Sequence, residues 1–180
     1  IDRYLVAKAL AQFERTLISL NSRYDRYYME GDLTAMTTSE VRGRNLFFTS
    51  AHCVDCHEPP LFKHHEVSNI GLDSIPTDRG MGERTGLPWH MDRFKTPTLR
   101  NIEFTGPYMH DGRFATLEEV VDFYADLVIT TSPTLDAHML PWVQGEVRLS
   151  TQDRRDLVAF LNALTDSAFL SDPRSGPPEP

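Results

Sequence analysis

The residues with the most specific chemistry are Cys53-Val54-Asp55-Cys56-His57, a C-x-x-C-H run. Two thiols three positions apart can each add to a haem vinyl group, and the adjacent imidazole is then carried under the iron as proximal ligand. Cys53 and Cys56 are therefore read as covalent haem anchors and His57 as an iron ligand. Two other chemistries use the same residue types. A bare C-x-x-C can cycle as a redox dithiol, and Cys53 and Cys56 with His52, His57, His64 and His65 form a donor set for zinc. The step from Cys56 to His64 and His65 is too short for the usual finger spacing, and there is no second C-x-x-C. A redox dithiol is expected in a βαβ setting, whereas the flanks here are helical with long loops.

His57 leaves the sixth position of an iron to another residue. Methionine is the usual partner in electron-carrying c-type cytochromes and tyrosine a rarer one. The candidates are Met81, Met91, Met109, Met139 and Tyr124. Met139 precedes Leu140-Pro141 in the manner of a ligand loop, although any single methionine is more often core filler.

The elements that must position these groups are mostly helical. Residues 1–20 place Val6, Ala9, Leu10, Phe13, Leu17 and Leu20 at helical spacing, with no N-cap before Ile1, an abrupt start that points to missing chain upstream. Asn21-Ser22 breaks this pattern, and Tyr24, Tyr27 and Tyr28 follow as a short aromatic stretch. Thr37-x-x-Glu40 is a capping box opening a second helix that runs towards the C-x-x-C-H motif. From Glu58 to about Pro97 the chain is rich in Gly, Pro and Asp with little periodicity. A long irregular stretch in a compact domain is usually functional, and a haem would supply the apolar surface around which it wraps. Thr116-x-x-Glu119 opens a third helix whose apolar face reads Leu117, Val120, Val121, Tyr124 and Val128, so Tyr124 points inward with the core. Ser150 and Asp153 open a last helix with Leu157, Phe160, Leu161 and Leu164 on its inner face. The fold class is mostly α, a cytochrome c-like helical domain around one covalently attached haem with long irregular loops. Residues 1–36 form a lead-in, 37–168 the haem domain, and 169–180 a Pro-rich disordered tail.

Composition narrows the partners. The 180 residues suffice for one core and carry a net charge of -8, which argues against nucleic acid. No apolar run is long enough to span a bilayer. Both cysteines lie in the motif, so no disulfide framework marks the compartment. Covalent haem marks it instead, because that attachment is made outside the bacterial cytoplasm; a periplasmic, exported protein is expected, although no signal peptide is visible.

Two longer motifs carry a resemblance. Phe94-Lys95-Thr96-Pro97-Thr98-Leu99-Arg100-Asn101 and Thr105-Gly106-Pro107-Tyr108-Met109-His110-Asp111-Gly112, with Phe13-Glu14-Arg15-Thr16-Leu17 and Ser22-Arg23-Tyr24-Asp25 upstream, resemble the C-terminal haem domain of the bacterial dihaem cytochrome c peroxidase and MauG family. The resemblance extends to about Thr165. It implies that the distal ligand lies fourteen residues after His110, at Tyr124. The peroxidases carry Met at that place and MauG carries Tyr, so the MauG branch is implied here; Met109 and Met139 are the fallbacks. A phenolate favours ferric and higher-valent iron, which suits a haem that shares oxidising equivalents rather than one that stores electrons at high potential.

The resemblance further implies a calcium ion between two haem domains, held partly by the backbone carbonyls of Thr105 and Pro107, and places His110 among the haem surroundings without a catalytic role. The implied function is a haem c domain of a peroxide-dependent dihaem oxidoreductase that shares or relays oxidising equivalents between the peroxide-reacting haem and an electron donor or protein substrate. This half holds one haem c. The second haem, which reacts with hydrogen peroxide, is expected in a missing N-terminal domain with its acid–base carboxylate. Two departures limit what carries over. MauG has Trp two residues before the first haem cysteine, where this chain has Ala51, and a complete member has two C-x-x-C-H motifs where this chain has one. Trp89, Trp142 and the Tyr24, Tyr27, Tyr28 group are read as packing rather than as electron relays. The rival reading is a stand-alone monohaem c-type electron-transfer protein.

Overall fold

The computed structural model describes residues 2–175. It is mostly helical. The first helix, α1 (Arg3–Glu14), does have a cap: the Asp2 side chain accepts from the Tyr4 N–H at 3.0 Å. The helix is also shorter than the apolar spacing over 1–20 indicated, and Tyr4, Leu5, Val6, Leu10 and Phe13 on it are all exposed. The aromatic stretch after it is a helix too. In α2 (Arg23–Met29) the Ser22 side chain accepts from the Asp25 N–H while the Asp25 carboxylate accepts from the Ser22 N–H, a reciprocal capping box.

Helix α3 (Thr38–Phe48) starts on its Thr37–Glu40 box, as its sequence indicated. It packs on α7 (Thr151–Asn162), which starts on the Ser150–Asp153 box and buries Leu157, Val158, Phe160 and Leu161. Gly43 is what permits the approach: a Cβ there would overlap the backbone carbonyl of Asp156. At the crossing, Phe47, Phe62 and Phe160 are fully buried, with ring centroids 5.1–6.1 Å apart and Tyr24 edge-on to Phe62 at 5.1 Å. Tyr24 and Met36 belong to this core, so the lead-in before residue 37 is packed into the domain.

Beneath the aromatic layer lies a buried ion pair. The Arg100 guanidinium donates to both Asp25 oxygens, at 2.6 and 2.8 Å, and through Nε to the Pro60 carbonyl at 2.8 Å. Burial works to raise the Asp25 carboxyl, but Arg100 and Ser22 outweigh it and hold the group below its ordinary value.

The stretch after the motif is largely irregular, as its Pro and Gly content implied. It contains a two-residue antiparallel pair, β1 (Val67–Ser68) with β2 (Phe94–Lys95), and one short helix, α4 (Met81–Thr85). Helix α5 spans only Leu117–Asp122 and then changes winding into a π turn over Phe123–Leu127. A short α6 (Leu140–Val143) follows. The stretch read as a disordered tail opens instead with the last turn of α8 (Ser167–Leu170), capped by Asp166, and a 3-10 turn at Pro173–Ser175; residues 176–180 of that tail lie outside the described residues. Among the described residues no helix is long and apolar enough to cross a membrane.

Candidate haem site

The thiols and the imidazole come from a short 3-10 turn, not from the end of α3. That helix stops at Phe48, and His52 in a left-handed conformation (φ 51°) turns the chain into Cys53–Asp55. The His57 N–H donates to the Cys53 carbonyl at 3.0 Å, which closes the turn. His52 is engaged elsewhere, its Nδ1 3.1 Å from an Asp55 carboxylate oxygen.

His57 is prepared as a ligand. Its Nδ1 lies 3.1 Å from the Phe62 carbonyl, which also accepts from the Leu99 N–H at 3.1 Å. With Nδ1–H donating there, the tautomer is fixed and the Nε2 lone pair is left for a metal. Burial pushes the imidazole down to about 4, so it is neutral at pH 7. Leu99 thus steadies the carbonyl that orients the histidine, and the backbone of Pro97 in the same segment acts on the imidazole as well, both carbonyls working against the effect of burial.

The thiols behave oppositely to those of a redox dithiol. Burial, with the neighbouring Cys56 and Asp55, pushes Cys53 up to about 12, and burial with Asp136 and Asp55 pushes Cys56 up to about 11. An active dithiol has a lowered thiol value, so this pair is unsuited to cycling. Both cysteines are unpaired. Among the described residues no group of three or more His, Cys, Asp or Glu side chains is placed to hold a metal ion.

Tyr124 comes from a distant part of the chain, the turn that follows α5. Its residue is half-buried, and burial, reinforced by Cys56 and Cys53, pushes its phenol well above the ordinary range. Both thiols are thus within electrostatic reach of the phenol. Its ring packs on Phe123 (5.3 Å between centroids) and Trp142 (5.7 Å). The helical spacing put Tyr124 on the inner face; the π turn that carries it had no sequence signal, because the 3.6-residue pattern continues through it.

The fallback ligands are placed less directly. Met109 stands in the turn after the cis Gly106–Pro107 bond, half-buried with φ 70°. Met139 is buried in a 3-10 turn capped by Asp136, the carboxylate whose charge reaches Cys56. Thr105 and Pro107 lie on an exposed turn, and among the described residues no N–H donates to either carbonyl. His110 stacks on Phe94, with centroids 3.7 Å apart, and Trp89 is exposed. Ala51, where a tryptophan relay would stand, is fully buried.

Two thiols able to form thioethers, a neutral imidazole and a buried phenol are a donor set that fits a covalently bound haem. Comparison with known proteins leads the same way, although no protein-family model matches the chain. The chain is 38% identical to methylamine utilization protein MauG of Methylorubrum extorquens, over 88% of this chain and 43% of that protein. It is 32% identical to cytochrome-c peroxidase IdrP1 of Denitromonas iodatirespirans, over 92% of this chain and 51% of the other. Among solved structures, a MauG-like protein associated with microbial copper homeostasis superposes with a TM-score of 0.75 at 32% identity, over 87% of this chain and 51% of that one. The chain thus spans about half the length of the curated relatives it matches.

Proposed function

This chain belongs with the bacterial cytochrome c peroxidases and MauG, and we propose that it forms one haem c domain of a dihaem oxidoreductase that consumes hydrogen peroxide. Cys53 and Cys56 would anchor the haem, and His57 and Tyr124 would supply ligands to its iron. The observation that carries this reading is the C-x-x-C-H turn with its His57 Nδ1 held by the Phe62 carbonyl and the buried Tyr124 phenol within electrostatic reach of both thiols.

When bound, the haem supplies one-electron chemistry at iron. The chain's own residues set its terms. The Phe62 carbonyl keeps Nδ1 of His57 protonated and aims Nε2. Tyr124 is held as a neutral phenol by burial, so ligation requires its proton to leave, and the resulting anion favours the oxidised metal. Phe47, Phe62 and Phe160 form a dry aromatic layer behind the carbonyl that holds His57. A domain so built shares or relays oxidising equivalents between a second, peroxide-reacting haem and an electron donor or protein substrate. The second haem belongs to a further domain, and the location is the periplasm. A calcium ion held by the carbonyls of Thr105 and Pro107 at the junction of the two domains belongs to the same reading.

The test is the ferric absorption spectrum of protein matured in a periplasm-competent host, compared with Tyr124→Phe. Tyr ligation predicts no sulfur-to-iron charge-transfer band in the wild type and an altered spectrum in the variant. A sulfur band unmoved by the substitution would assign a methionine instead, with Met139→Leu and Met109→Leu deciding which. The single C-x-x-C-H in these residues favours a second reading, a monohaem electron carrier. A second such motif in the full reading frame would end it.

A further inference from the structure

Tyr124 is presented by the one π-helical turn among the described residues, Phe123–Leu127. Such a turn winds one residue more than an α turn and is rare, so it needs something to hold it. Three anchors surround it. Upstream, the Thr116–Glu119 capping box fixes the start of α5. Downstream, the Ile129 N–H donates to the Gly71 carbonyl at 2.8 Å. Across the turn lies Arg154 of α7. Its Nη1 donates to Asp122 at 2.8 Å and to Asp126 at 2.6 Å, and its Nη2 donates to the second Asp126 oxygen at 3.0 Å.

One guanidinium therefore clasps the residue before the π turn and the fourth residue within it, with Tyr124 between them. The two carboxylates stand four positions apart and would repel without it. Arg154 is the more buried partner, its side chain 24% exposed against 55% for Asp122 and 57% for Asp126. An exposed ion pair contributes little to global stability. This one joins α7, the centre of the core, to both sides of a local distortion, so its effect falls on geometry.

We propose that Arg154 is a positioning residue for Tyr124: by bridging Asp122 and Asp126 it holds the π winding that turns the phenol towards Cys53 and Cys56. This rests on the ligation reading above. Relaxation of the turn to α winding displaces the register by one residue, roughly 100° about the helix axis. Because both ends are tied, the adjustment falls on the residues between them, and the phenol swings away from the thiols.

The experiment uses the haem-loaded chain and compares wild type, Tyr124→Phe, Arg154→Leu, Arg154→Lys and Asp126→Asn, with Arg174→Leu as a control on an exposed ion pair away from the site. The ferric spectrum and the haem reduction potential report ligation, and amide hydrogen exchange over 122–128 reports the turn. Arg154→Leu and Asp126→Asn are expected to move the spectrum and potential towards those of Tyr124→Phe and to speed exchange in the turn roughly fivefold. Arg154→Lys should restore part of each, since lysine keeps the charge but not the fork. Arg174→Leu should move neither. If Tyr124→Phe differs from wild type while Arg154→Leu and Asp126→Asn keep the wild-type spectrum and potential, the proposal is overturned and ligation stands. If Tyr124→Phe matches wild type, the ligation reading fails and takes the proposal with it. If Arg154→Leu does not fold, Asp126→Asn carries the decision alone.

Discussion

His57 and Tyr124 are the two ligand candidates, but one is fixed by buried backbone and the other by charges that stand half in solvent. The imidazole is oriented by the carbonyl of a fully buried phenylalanine, inside an aromatic layer clamped between α3 and α7. The phenol rides on a π turn held by carboxylates more than half exposed. Buried contacts in a close-packed interior resist salt and pH, whereas exposed ion pairs are screened. The proximal side therefore behaves as part of the fold and the tyrosine side as an adjustable fitting.

The contrast can be broken from its strong end downwards. Replacing both Cys53 and Cys56 with Ala should abolish covalent haem, seen as loss of haem fluorescence on a denaturing gel; retained attachment would sink the anchor assignment. Gly43→Ala should cost about 3 kcal/mol or prevent folding, because the added carbon meets Asp156 backbone rather than a movable side chain. A stable variant in denaturant titration would mean that α3 and α7 are not locked together. Arg100→Leu leaves Asp25 buried without its cation and should cost about 3–5 kcal/mol. That loss depends on pH in a definite direction. Asp25 is held below its ordinary value of 3.8, so its contribution is present above that pH and disappears as pH falls through the depressed value; the gap between wild type and variant should close in acid.

Asp156 gives a sharper window. Arg42, working against some burial and helped by Ser39 and Gln152, holds its carboxyl at about 2, down from 3.8. Wild-type stability should fall between those pH values, and Arg42→Met should flatten that limb of the curve. At the weak end, Asp73→Asn removes a partner from Arg113 on the loop side, where both side chains are about a third exposed. Its effect on the melting midpoint should correspond to under about 1 kcal/mol. A large loss there would erase the distinction between the two regions.

The parts of the fold written in local chemistry were legible in sequence. The boxes at Thr37, Thr116 and Ser150 each start a helix where the side chains require one, and C-x-x-C-H names its own chemistry. Two caps were harder to see: Asp2 is a single residue at the margin, and Ser22 opens a seven-residue helix too short to show a helical apolar repeat. Periodicity showed that α1 has an apolar face but could not say what covers it, since that depends on a partner surface rather than on spacing. The π turn and the Arg154 clasp were out of reach for a related reason. Leu117, Val121 and Tyr124 satisfy an α pattern, and the guanidinium that overrides it arrives from thirty residues downstream.

The pairing of α3 with α7 also dictates an order of events. The motif follows α3 directly, but the helix that completes its aromatic wall is about a hundred residues further along the chain. Closing so long a loop is slow compared with forming either helix alone. A chain emerging from its N-terminal side therefore passes through a stage in which Cys53 and Cys56 are already made but not yet enclosed. At that stage the thiols are more open than in the finished domain, where both are half-buried, so capturing haem before Phe160 seats is the easier order.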